Sequence, residues 1–145
     1  MRRSLEHEYA GWRVVTEDSL SSEDDREIWA RNFSGECPGI AVGRFKGKGL
    51  DYAINLIRNT GASLEQQLIL FEHTEQGFNT SILFAPSAVG VVSVIRKFGP
   101  GIYRSPDSGR PVRIQFDTIG VSEIEGGAVV YYWTGKRFEQ IVTSV

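Results

Sequence analysis

CPGIAVGRFKGKGLDYAINLI, residues 37–57, is the stretch on which the fold reading turns. A short apolar run at 40–42 leads into a basic turn that holds Gly43, Gly47 and Gly49. From Asp51 the chain enters a second apolar segment, in which Tyr52, Ile54 and Leu56 alternate with Ala53, Asn55 and Ile57. Glycine gives the backbone freedom that a tight turn needs, and a side-chain period of two marks a strand. Residues 37–57 therefore read as two strands joined by a glycine-rich turn. Both faces of residues 51–58 are mostly apolar, so this second strand is predicted to be central and covered on both sides.

Working outward, residues 67–72, 78–84 and 90–96 read as further strands, with turns at 59–62 and 74–77 and with residues 85–87 closing the second of them. Residues 97–111 hold Pro100, Pro106 and Pro111 and read as one long loop. Residues 112–116 and 118–123 follow as strands. Residues 128–133, apolar on both faces, read as a central strand, and 134–136 as a tight hairpin link. The more polar 137–143 reads as an edge strand.

Upstream, Ser21-Ser22-Glu23-Asp24-Asp25 combines a hydroxyl cap with acids in a first turn, predicting a helix over 23–33 that stops at Ser34-Gly35. Leu5, Tyr9 and Trp12 are spaced for a second short helix, and a loose segment over 1–11 is the alternative. Together these give an α+β, mostly β fold, with about nine strands in antiparallel meander sheets and one or two short helices near the N-terminus. One domain over 1–145 is expected.

The bulk numbers exclude some classes. A chain of 145 residues, 41% hydrophobic and 23% charged, can bury a core. A net charge of −2 offers no general attraction for nucleic acid. A single cysteine forbids an internal disulfide. No apolar run approaches the ~18 residues that a membrane-spanning helix needs.

Chemistry is sparse. Cys37 and His73 could form a nucleophile–base pair, but a cysteine next to Pro38 beside a core strand reads more simply as a small packed side chain. Asp51, Glu72, Asp117 and Glu123 are the carboxylates left as candidates for an acid–base pair drawn from distant strands. No His/Cys/Asp cluster has metal-ligand spacing, and no phosphate loop is present, so no metal and no cofactor are expected.

Basic residues do gather: Arg44, Lys46 and Lys48 in the turn, then Arg96, Lys97, Arg104, Arg110 and Arg113 around the long loop, with Phe45, Phe98 and Tyr103 among them. Arg44, Lys46, Lys48, Arg96, Lys97, Tyr103, Arg104 and Arg110 are the candidate partner-binding set, suited to an acidic protein surface.

The turn Gly43-Arg44-Phe45-Lys46-Gly47-Lys48-Gly49, followed by Asp51-Tyr52-Ala53, resembles the FG-GAP or VCBS-type repeat. That family carries a turn of the form G-D-F-N-G-D-G-x-x-D leading into an apolar strand. The closing segment from Val130 to Phe138 (VYYWTGKRF) is similar to the hairpin that often ends small bacterial secreted proteins with such a turn. In the family, carboxylates and an amide of the turn hold calcium. Arg44, Lys46 and Lys48 stand where those ligands would be, so no calcium is expected here. The turn is also one residue shorter before Asp51, and the chain is too short for the several blades of a propeller.

The resemblance implies an extracytoplasmic location, periplasmic or secreted, with the signal absent from this sequence; a cytoplasmic location is the alternative. The leading functional expectation is a non-catalytic protein-interaction module, of inhibitor, immunity or envelope-accessory type, that meets an acidic partner. A small carbohydrate-active enzyme is one rival. A glycan-binding module that stacks sugars on Trp12, Trp133 or Tyr103 is another.

Overall fold

The computed structural model describes residues 8–106, 108–124 and 127–143. In chain order the elements are β1 (Arg13–Val14), a 3-10 turn at Glu17–Ser19, α1 (Glu23–Asn32), β2 (Ile40–Gly43), β3 (Asp51–Asn59), β4 (Leu64–Thr74), β5 (Gly77–Val89), β6 (Val94–Phe98), β7 (Gly101–Arg104), β8 (Pro111–Ile114), β9 (Thr118–Ser122), β10 (Ala128–Trp133) and β11 (Phe138–Thr143).

The 37–57 stretch forms the antiparallel pair expected of it, with Ile40 opposite Ile54 and Gly43 opposite Asp51. β1 joins the same edge of β3 further along, at Ile57 and Leu56. β3 pairs on its other side with β4, and β4 with β5, which completes the first sheet. The second sheet has the order β11-β10-β9-β6, and β7–β8 is a separate hairpin. All these pairings are antiparallel, as short links require.

The two sheets meet over one core. Ala41, Phe45, Ala53, Leu68 and Leu70 from the first sheet and its turn pack with Ile95, Ile119 and Tyr131 from the second. The opposite face of the first sheet is also buried: Ile54, Leu56, Ile69 and Phe71 pack with Tyr9, Trp12 and Val14 of the N-terminal segment. Two covered faces explain why β3 lacks a polar stripe. α1 begins where Ser22 Oγ accepts the Asp25 N–H at 3.0 Å. It buries Trp29 with Leu20 and Val94, and the indole N–H donates to the Glu36 carbonyl at 3.2 Å.

A polar network sits in the middle of this apolar plan. Asn55 is fully buried. Its backbone N–H donates to Gly39 O at 2.8 Å and its carbonyl accepts from Val15 N–H at 2.9 Å, which fastens the segments behind β2 and β1 to β3. Its side-chain amide donates to Ser93 O at 2.8 Å and accepts from Gln66 Nε2 at 2.6 Å. Gln66 in turn donates to Ser93 O at 2.8 Å and accepts from Ser93 N–H at 3.0 Å. Two buried amides thus bind the backbone that leads into β6. Nearby, Ile95 N–H donates to Pro38 O at 3.0 Å.

Several expectations are corrected. Residues 97–111 are not one loop: Gly101–Arg104 pairs with Pro111–Ile114. β5 runs through Pro86 to Val89 instead of ending there. Proline is tolerated because β5 is an edge strand and the ladder is irregular nearby, between Gln66 and Ile69 of β4. The strand expected at 90–96 starts later, at Val94. Cys37 is exposed and not packed in the core. Of the second helix expected over Leu5, Tyr9 and Trp12, residues up to 7 lie outside the described residues, residue 8 is helical and residues 9–11 form a turn.

Replacing Asn55 with Leu keeps the branching and heavy-atom count of the side chain but leaves the buried Gln66 and Ser93 groups short of partners. We expect a loss of about 3 kcal/mol in urea unfolding. An unchanged midpoint would show that the network is idle.

Candidate functional site

The basic turn is pinned from both sides. Phe45 points into the core and is completely buried. Gly47 has φ +76°, and a Cβ there would lie 2.3 Å from Phe116 Cε1, so this position admits glycine alone. Arg44 N–H donates to Asp117 Oδ2 at 2.9 Å. Phe116 and Asp117 lie between β8 and β9, at the base of the β7–β8 hairpin. Two basic stretches remote in sequence are therefore joined.

Lys46 turns inward. Its Nζ forms an ion pair with Glu72 and stands 4.2 Å from the Trp133 ring centroid and 5.9 Å from that of Phe138. Carboxylate and aromatic face together hold the ammonium, an arrangement stronger here than at a fully wet surface. The clasp borders a cavity of about 320 Å³, whose lining includes Ser81, Ile82 and Leu83 of β5 beside the four residues just named. Arg113 of β8 faces a neighbouring cavity of about 240 Å³ that Trp133 also lines.

Three carboxylates at this end are engaged. Asp51, 6% exposed, accepts from His73 N–H at 3.4 Å. Burial raises its carboxyl above the ordinary 3.8, the His73 bond draws it back, and then Glu72 raises it while Lys46 lowers it. Glu72 holds Lys46 and Asp117 holds the turn. Of the four carboxylates singled out in the sequence, these three surround the turn and its anchors. Glu123, exposed just past β9, has no contact with that group among those described.

The candidate basic set divides. Arg44, Lys48, Lys97, Arg104, Arg110 and Arg113 are exposed. Arg104 Nη1 donates to Gly109 O at 3.2 Å, bracing the hairpin tip. Tyr103 is half-buried, with its hydroxyl donating to Gly99 O. Arg96 lies where β2 and β6 approach: its guanidinium is 4.1 Å from the Phe33 ring centroid and its Nε 3.1 Å from Glu36. Arg96, Cys37 and Lys97 line a cavity of about 250 Å³ there.

Cys37 Sγ donates to Val15 O at 3.7 Å, whereas the His73 ring packs edge-on to Phe78 at 5.3 Å. Each has a different neighbour, and the pair is not assembled. Trp12 and Trp133 are half-buried, but each carries a cation on its face, Arg58 at 4.4 Å and Lys46 at 4.2 Å. Among the described residues, no three His, Cys, Asp or Glu side chains are placed to hold a metal ion.

Because Asp51 titrates above its ordinary value, its ionised form opposes folding at neutral pH. Stability from this group is gained as pH falls through its folded pKa and is fully present below 3.8. Asp51→Asn, which keeps an acceptor for His73 N–H, should raise the urea midpoint at pH 7. That advantage should vanish at pH 3; an equal gain at both values would contradict the assignment.

Comparison with protein-family models, with curated proteins and with solved structures gives no match for this chain.

Proposed function

We propose that this protein works by binding another protein with an acidic surface, without catalysis. The contact is made by the 44–48 turn and the β7–β8 hairpin. The observation that carries this reading is the docking of the turn on residues 116–117, which sets Arg44 and Lys48 beside the base of the hairpin that bears Arg104, Arg110 and Arg113. Asp51, Glu72 and Asp117 are turned to internal contacts while these cations stay exposed, so among the described residues the charge presented here is mainly positive although the chain is net negative. Lys46, held by Glu72 and Trp133, acts as an anchor of the turn and not as a contact.

We read the turn as a charge-reversed counterpart of the FG-GAP turn, with Arg44, Lys46 and Lys48 at the calcium-ligand positions. An inhibitor, immunity-type or envelope-accessory protein in the periplasm or outside the cell is the form this reading takes. A glycan ligand is the weaker choice, since Lys46 and Arg58 already occupy the faces of Trp133 and Trp12.

Tagged protein should capture one stoichiometric acidic protein from its native host, less efficiently as salt is raised. Reversing two contact charges with Arg44→Glu/Lys48→Glu should weaken that capture about tenfold, or ~1.4 kcal/mol, at unchanged thermal stability. Capture that is indifferent to the double reversal removes the turn from the interface.

A further inference from the structure

β5 is the longest strand of the structure, and among the described residues it pairs with β4 alone. Free edges are usually blunted by charged side chains. Between Gly77 and Gly90 this chain has none. Pro86 and the irregular ladder guard only the far half, which leaves residues 77–83 as an open, uncharged edge. Two large apolar side chains stand on it, Phe78 at 38% and Ile82 at 56% exposure.

The register says which backbone groups are free. Thr74 and Gly77 face each other across the two-residue link Glu75-Gln76, so that pair closes the hairpin with its own hydrogen bonds. Bonded and non-bonded pairs then alternate, with Asn79 and Ser81 bonding to Glu72 and Leu70. The N–H and C=O groups of Phe78, Thr80 and Ile82 consequently point away from β4. Their side chains share the face of Ile69 and Phe71, and the Phe78 ring is 6.1 Å from that of Phe71.

We propose that two copies of this chain associate through antiparallel pairing of their β5 edges about a two-fold axis at Thr80. In that register Phe78 of each copy lies opposite Ile82 of the other, Thr80 opposite Thr80, and Asn79 opposite Ser81. The residues with outward backbone groups meet one another, so each such pair closes two hydrogen bonds. Two apolar cross-strand pairs and one Thr–Thr pair form on a single face. The carboxylate of Glu75 lies beyond the Gly77–Leu83 pair, with no charge of the other β5 facing it. A second copy fits because this edge is complementary to itself when run antiparallel, the requirement of an isologous interface. The pairing uses none of the exposed cations proposed above as contacts, although Ser81 and Ile82 line the cavity beside Lys46.

Sedimentation velocity over a rising concentration series tests the pairing. The parent protein should pass from monomer to dimer. Thr80→Pro removes the central outward N–H without touching the β4 ladder, and Ile82→Lys sets a charge opposite Phe78. Each should weaken the dimer at least tenfold while circular dichroism and melting temperature stay unchanged. If Thr80→Pro fails to fold, Ile82→Lys decides alone, since that side chain is largely in solvent. In a Cys37→Ser background, Thr80→Cys should form a disulfide-linked dimer on mild oxidation, because bonded antiparallel partners have Cα atoms about 5.5 Å apart. A parent that stays monomeric with no cross-link would overturn the proposal, as would a dimer that survives unaltered in the folded variants.

Discussion

Asn55 is the residue through which the two sheets and the N-terminal segment are held in one arrangement. Its backbone fastens the ends of β1 and β2 to β3, and its side chain reaches Ser93 and Gln66. Hydrophobic burial is non-directional and would tolerate small slides of one sheet over the other. A buried amide with all its partners in place does not tolerate them, because each shift would strand a polar group in an apolar core. The position of β6 against β2, and with it the second sheet, follows from this constraint.

The basic turn depends on that placement. β2 delivers Gly43 opposite Asp51, and Phe45 then drops into the space between the sheets. Only with β9 and β10 in register can Asp117 meet Arg44 N–H and Trp133 meet Lys46. The aromatic core thus orders the turn from within, and the carboxylates order it from the side. A rigid, partly neutralised base with exposed cations at its rim offers fixed geometry and charge, which is what the proposed contact with an acidic partner requires.

The molecule carries two contrasting surfaces. One is the charged end formed by the turn and the β7–β8 hairpin. The other is the neutral edge of β5. Charge directs encounter with a partner of opposite sign, whereas a neutral edge joins backbone to backbone and favours a like partner. Under the two proposals, association of copies and recognition of a different protein would draw on different residues.

Much of the fold was legible in local sequence. Ser22 and its acids marked the helix start, apolar residues on both faces marked β3 and β10 as central, and the polar 137–143 marked β11 as an edge. These features depend on neighbours within a few residues, where propensity and periodicity act. The strand at 101–104 was not legible, since the prolines and glycines of 97–111 masked four residues whose pairing with β8 is their main support. Nor was the exposure of Cys37, which the apolar run after Pro38 disguised. The candidate site divides the same way. Arg44, Lys46 and Lys48 stood out as a cluster, but the opposed fates of Lys46 and Arg44 depended on Glu72, Asp117 and Trp133, each remote in sequence. The sequence alone determined which segments become strands and where charge is concentrated, because both are local properties of side chains. Tertiary structure alone decided which charges are neutralised and which edge stays open, because those depend on contacts between segments that only folding brings within reach.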